Sequence, residues 1–455
     1  MAKPWMAGIL ALVLLGQAQA EPVWQSDVVA VQPQQLEAAH WLAKLKDPDA
    51  LVMDAGAIAR FNQGLFDKLP EMVALDQYPR HLEGTSVRAK IEALGLEAER
   101  YRRDGSALDQ AAWDNYRRNL NLDALQGPQQ VRFALAVRRS LMRTFPTHDR
   151  VFKADLDTDL DRFQETGVFP GQALAVLADS ADGNWVFAQS YQYAAWLPKA
   201  DIAFGSREQV LAYGRSPSFL VTTGAKVRTV FNPEEPRVSE LQLDMGLRLP
   251  LLPAARVGNN LYGQNPYTGY VVRLPVRNDD GSLAFRPALI PRSQDVHLGY
   301  LPFTRANLIR QAFKFLGERY GWGHDYNGRD CTGFVGEVYR SFGILMPRNS
   351  GQQGKGDYGV NHPFSKATPS ADKEQVLAKG QPGDLIYLPG HVMMLLGFEG
   401  KEPYVIHDVT GLRYRRGGQL YQGVLNGVSI TPLKPLMLGA ERSYLDGVYN
   451  IKAIN

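Results

Sequence analysis

The spacing of apolar residues changes three times along this 455-residue chain, and those changes require several folding units rather than one. From about Gln34 to His148 the spacing predicts helices. Leu36, Ala39, Leu42 and Ala43 recur at helical intervals, and "VRAKIEALGLEAERYRR" and "QQVRFALAVRRSLMRTF" repeat the pattern. Pro79, Gly84 and Gly127-Pro128 break the run into pieces. Arg138, Arg139 and Arg143 then read as a solvated helix face. From about Asp155 the pattern becomes strand-like. "ALAVLADSADGNWVFAQSYQYAAWLPKADIAF" alternates apolar and polar residues around an Asp182-Gly183 turn. A second β-rich stretch runs from about Phe219 to Leu289. Helices return between Thr304, a good N-cap, and Gly317, and the tail from Asp384 is again strand-rich. The predicted organisation is a leader at 1–20, a mainly helical N-terminal domain at 21–150, β modules at 151–215 and 216–295, and an α+β domain at 296–455.

The leader has the form of a secretory signal. Lys3 supplies a positive start, Met6 to Leu15 is uncharged and apolar, and Ala18-Gln19-Ala20 fits the small-x-small cleavage rule, so the mature chain is expected to begin at Glu21. The apolar run is too short to span a bilayer. No later run is long enough, and no cysteine follows the leader to carry a lipid. The expected location is periplasmic or secreted. A balance of 50 basic against 47 acidic residues excludes nucleic-acid binding by bulk charge. Cys331 is the single cysteine, which excludes internal disulfides and multi-thiolate metal sites. A lone cysteine in an exported chain is either buried and inert or a reactive thiol.

Cys331 follows a polar loop and opens a predicted helix, "CTGFVGEVYRSFG". A helix N-terminus offers free N–H groups and the positive end of the macrodipole, both of which favour a thiolate. A cysteine nucleophile needs a base, and the base an orienting group. Of eight histidines, His362, His391 and His407 follow the cysteine. "PGDLIYLPGHVMMLLGF" places His391 at a strand start, and "PYVIHDVTG" places His407 near the end of the next, with "FEGKEP" as the turn. Adjacent antiparallel strands bring both rings to one face when the register has the right parity. Asp408 is a rival orienter, although alternation turns it to the opposite face. A zinc site from His391, His407 and Asp408 is a weaker possibility.

"YGWGH", "RDCTGFV" and "MPRNSGQQ" together resemble the NlpC-type cell-wall peptidases, which are papain-like cysteine peptidases. The resemblance covers about residues 304 to 410, with Thr332 where a serine is usual and His324 where the loop has a second glycine. The strands ending in Trp196-Leu197-Pro198 resemble a bacterial SH3-like module, with Ala195 at its usual glycine, and the second β-rich stretch looks like a divergent copy. The resemblance implies two SH3-like β-barrels ahead of a papain-like domain. It implies Cys331 as nucleophile, His391 as base and His407 as orienter, with no metal or cofactor. Tyr320 is then an oxyanion donor beside the Cys331 N–H. Asp330 and Thr332 grip the substrate amine and carboxylate, with Arg348, Asn349 and Ser350 on a second substrate loop. Tyr191 or Tyr193 of the first module enters the site, and strand alternation does not choose between them. The implied activity is cleavage of γ-D-glutamyl-diamino acid bonds in peptidoglycan stem peptides, with a free N-terminal L-Ala, by a monomer. The alternatives are a peptidoglycan-binding scaffold, or a papain-like amidase or acyl transferase.

Overall fold

A computed structural model describes residues 24–96 and 98–455. The leader at 1–20 and its cleavage point lie outside the described residues. Among the described residues no helix is long and apolar enough to cross a membrane.

The N-terminal region does not form a helical domain with its own core. Its first helices, Ala38–Leu42 and Ala55–Lys68, pack onto the C-terminal domain, where Trp41 and Leu65 share a core with Phe334, Val338, Tyr387 and Ile406. The helices Gly84–Glu92 and Gln110–Asn119 pack instead on the first β module, where Val87, Ile91 and Tyr116 meet Phe133, Phe187 and Trp196. Short helices with one apolar stripe cannot bury it alone, so each borrows a neighbour's core.

The helix expected over "QQVRFALAVRRSLMRTF" is absent. Strands Arg132–Ala136 and Ser140–Arg143 take its place. Phe133 and Leu135 face one core while Ala134 and Ala136 face another, so both faces of the first strand are buried. A strand buried on both faces reads as a continuous apolar run, which periodicity alone does not separate from a helix. The arginines are accordingly not a solvated helix face. Arg143 is buried and pairs with Asp161 at 2.9 Å, and Arg139 pairs with Asp244 at 3.1 Å.

These strands join Gln164–Val168, Ala173–Asp179, Trp185–Gln189, Ala194–Pro198 and Ile202–Gly205 in one seven-stranded antiparallel sheet. Its edges are Ile202–Gly205 and Gln164–Val168, and no ladder among the described residues joins them. The second β region divides into a three-stranded ladder and two hairpin ladders, one of them pairing Gly269–Arg277 with Leu283–Pro291. Both expected barrels are thus open arrangements. The strand twist brings the ladders round a shared core without closing their hydrogen bonding.

The C-terminal domain packs the helix Cys331–Arg340 on a six-stranded antiparallel sheet. The three units meet at fully buried Arg329. Its guanidinium pairs with Glu337 at 2.6 Å, with Glu318, and with Asp244 of the second β region at 3.2 Å. Asp244 also holds Arg139 from the first sheet's Arg132–Arg143 segment, so one carboxylate joins all three units.

Candidate active site

Cys331 is the first residue of its helix, and Asp330 is the N-cap. The Asp330 carboxylate is saturated from within the protein. One oxygen accepts from the Gly333 N–H at 2.8 Å and the Thr332 hydroxyl at 3.0 Å. The other accepts from the Gly323 N–H at 3.1 Å and Arg348 Nη2 at 2.7 Å. Arg348 also donates to Thr332 Oγ1 and Thr166 Oγ1, both at 2.6 Å. Despite burial, the guanidinium holds the Asp330 carboxyl well below the usual carboxylate range. Asp330 and Thr332 therefore order the nucleophile's loop. With its four acceptor positions filled, Asp330 has none left for a substrate amine, which corrects that expectation.

The two histidines meet. Strand His391–Glu399 pairs with Glu402–Arg416 in antiparallel register, with Met394 opposite Ile406 and an irregularity between Leu395 and Gly397. His391 Nε2 lies 2.9 Å from His407 Nδ1, and His407 Nε2 lies 3.0 Å from Thr431 Oγ1 on the next strand. The Cys331 sulfur sits against the start of the His391 strand, by the Val392 N–H. With Nε2 engaged by His407, Nδ1 is the His391 nitrogen left to take the thiol proton. Asp408 lies apart from this chain of contacts, buried, with neither carboxylate oxygen hydrogen-bonded. Burial and the nearby charge of Asp330 push its carboxyl well above the ordinary range. His362 is on the exposed edge strand Val360–Pro363, away from the thiol.

The thiolate expected at the helix start is not favoured. Burial, and then the Asp330 and Asp408 carboxylates, push the Cys331 thiol up to about 12. Burial likewise lowers His391 to about 4, and burial with the adjacent His391 keeps His407 well below its ordinary value. Desolvation of the charged form outweighs the macrodipole here, because only one helix end offsets the loss of water. The resting site is a neutral thiol beside a neutral imidazole.

One wall of the site comes from the first β module. Tyr193 donates to Glu165 at 2.5 Å, and the Thr144 hydroxyl donates to the other Glu165 oxygen at 2.5 Å. Tyr193 also lies within reach of Asn349 and Arg348. Tyr191, half-buried, lies by Arg340 and packs against the C-terminal core, whereas Tyr193 reaches Glu165. Glu165 is partly exposed and forms no ion pair among the described residues. Asn349 caps the short helix that begins at Ser350, with its N–H donating to Gln352 at 3.1 Å. Tyr320 is buried beside the nucleophile's loop, and desolvation, then the nearby Asp330 carboxylate, raises its phenol well above the ordinary value.

The loop tolerates His324 by anchoring it. Gly323 and His324 both adopt positive φ, at 58° and 70°. That conformation costs a non-glycine residue about 1–3 kcal/mol. Compensating contacts surround it. The Gly167 N–H donates to His324 Nδ1 at 3.3 Å, Nε2 lies 3.3 Å from Glu337, and Arg139 donates to the His324 carbonyl at 2.9 Å. Sequence reasoning missed Glu165, Thr166 and Thr431, which carry no local motif and reach the site through sheet pairing or module docking.

Residues 317–421 match the NlpC/P60 family, and residues 146–198 match an SH3 domain of the SH3b1 type. The chain is 27% identical over 252 residues to a gamma-D-glutamyl-L-lysine dipeptidyl-peptidase of Bacillus cereus, an alignment covering 51% of this chain. It is 35% identical over 83 residues, 18% of the chain, to the probable endopeptidase p60 of Listeria seeligeri. The aligned regions span 65% and 13% of those relatives' lengths. An NlpC/P60 endopeptidase structure from Photobacterium damselae subsp. piscicida superposes with a TM-score of 0.72 at 16% identity, covering 91% of this chain and 96% of that one. Residues 317–421 thus form an NlpC/P60 peptidase domain, preceded by an SH3b domain at residues 146–198.

Proposed function

We propose that the protein is a periplasmic or secreted peptidoglycan hydrolase that cuts γ-D-glutamyl-diamino acid bonds of stem peptides beginning with free L-Ala. The observation that carries this reading is the Glu165–Tyr193 wall facing a Cys331–His391–His407 site. In this mechanism the thiol proton passes to His391 Nδ1 as sulfur attacks the γ-carbonyl. In this reading the Cys331 N–H and Tyr320 donate to the developing oxyanion. The imidazolium protonates the departing amine, and water then releases the acyl group from sulfur.

Glu165 is the carboxylate available for the α-ammonium of L-Ala, with Tyr193 capping it. An N-acylated substrate leaves that carboxylate without its cation and meets a closed wall. The test compares kcat/KM for free and N-acetylated L-Ala-γ-D-Glu-diamino acid peptides, with products identified by mass spectrometry. Wild type is expected to favour the free peptide by at least about 100-fold. Glu165→Gln is expected to erase most of that preference, and Cys331→Ala to abolish cleavage. Equal rates on both peptides, or faster cleavage of intact sacculi, sinks the substrate assignment. Cleavage by the Cys331→Ala variant sinks the cysteine mechanism.

A further inference from the structure

We propose that Thr431 is the terminal positioning residue of the catalytic relay: its hydroxyl accepts a hydrogen bond from the His407 Nε2–H whenever His391 is charged. The inference rests on the cysteine-peptidase reading above and deepens it.

The argument is one of proton counting along three contacts. When Cys331 gives its proton to His391 Nδ1, both nitrogens of that ring carry hydrogens. Nε2–H must then donate to His407 Nδ1 across 2.9 Å. His407 stays neutral, because burial and the adjacent charge oppose its protonation. A neutral ring accepting at Nδ1 carries its hydrogen on Nε2. That N–H points at one partner, Thr431 Oγ1, 3.0 Å away. His407 and Thr431 are both buried, so water does not replace the hydroxyl.

A hydroxyl can serve either proton arrangement. In the reverse arrangement Thr431 donates to Nε2, His407 donates from Nδ1, and His391 carries its proton on Nδ1, where it cannot act as base. Only the arrangement in which Thr431 accepts is compatible with the thiolate–imidazolium state. Thr431 thus acts through His407 on His391, and touches neither thiol nor substrate.

The single cysteine provides a direct readout of thiolate formation, the rate at which iodoacetamide alkylates Cys331. Thr431→Val leaves the His407 N–H without an acceptor in the charged state. At neutral pH it is expected to slow alkylation and lower kcat, each by roughly 10- to 100-fold, with KM little changed. Thr431→Ser is expected to restore both. Nitrogen-15 NMR of His407 is expected to show Nε2 protonated in wild type inhibited by a covalent acyl-enzyme mimic. If Thr431→Val does not fold, as judged by circular dichroism, Thr431→Ala makes the same comparison. Wild-type alkylation and kcat in the folded Val or Ala variant overturn the inference. A His391-dependent alkylation rate that falls in Thr431→Val, in an enzyme that cuts no γ-D-glutamyl peptide, supports the relay while rejecting the substrate assignment.

Discussion

At the residue scale the site is defined by desolvation. Only the form with His391 and Cys331 both neutral is ready to react, and burial widens the pH range in which it exists. For kcat/KM the expected acid limb lies near pH 4, where His391 takes up a proton, rather than near the ordinary histidine value of about 6.5. The rate is expected to stay flat from about pH 6 to 8, with the thiol still protonated. A pH–rate profile on free peptide checks this, and an acid limb centred near 6.5 contradicts it. Stability follows the same sign. The unfolded chain binds a proton at His391 near pH 6.5 and the folded chain only near 4, so this contribution is present above 6.5 and lost as pH falls between those values. Cys331, His391 and His407 were legible because each sits in a short local pattern that fixes its element. Glu165 was not, because its place in the site depends on how the first sheet docks on the loop at Gly323.

At the scale of elements, local chemistry predicts well where an end is capped and poorly where a strand is buried on both faces. Thr304 is the N-cap foreseen from its position. Its hydroxyl accepts from the Asn307 N–H at 3.1 Å, and the helix it starts runs from Arg305 to Phe313. Thr304→Ala is expected to cost about 1 kcal/mol, and Thr304→Ser much less, measured by urea unfolding monitored by circular dichroism. Equal stability of wild type and the Ala variant contradicts the cap. The strand Arg132–Ala136 shows the opposite case. Its Phe-Ala-Leu-Ala run holds no alternation to see, because Ala faces the second core as fully as Phe faces the first. The histidine pair lies between these cases. The hairpin was visible in sequence, but only the pairing, with its irregularity after Leu395, sets the two rings in contact.

At the scale of the whole molecule, the units share buried charges as well as surfaces. Asp244 bridges Arg139 and Arg329, and is itself fully buried. Removing one partner of a buried pair leaves uncompensated charge and typically costs about 3–5 kcal/mol. Asp244→Ala is therefore expected to lower the melting temperature and to split a single calorimetric transition into separate ones. One transition at the wild-type temperature contradicts this role for Asp244. The sequence marked a multi-domain chain correctly, yet it hid how the N-terminal helices divide between two cores, since an apolar stripe does not name its partner. The placement of the catalytic parts also has a consequence in time. Glu165 and Tyr193 come early in the chain, Cys331 follows much later, and Thr431 arrives on one of the last strands. A polypeptide still being made exposes its thiol before the strand that holds His407 has its neighbour. The order of synthesis thus leaves the His391–His407–Thr431 chain of contacts incomplete until one of the last strands is made.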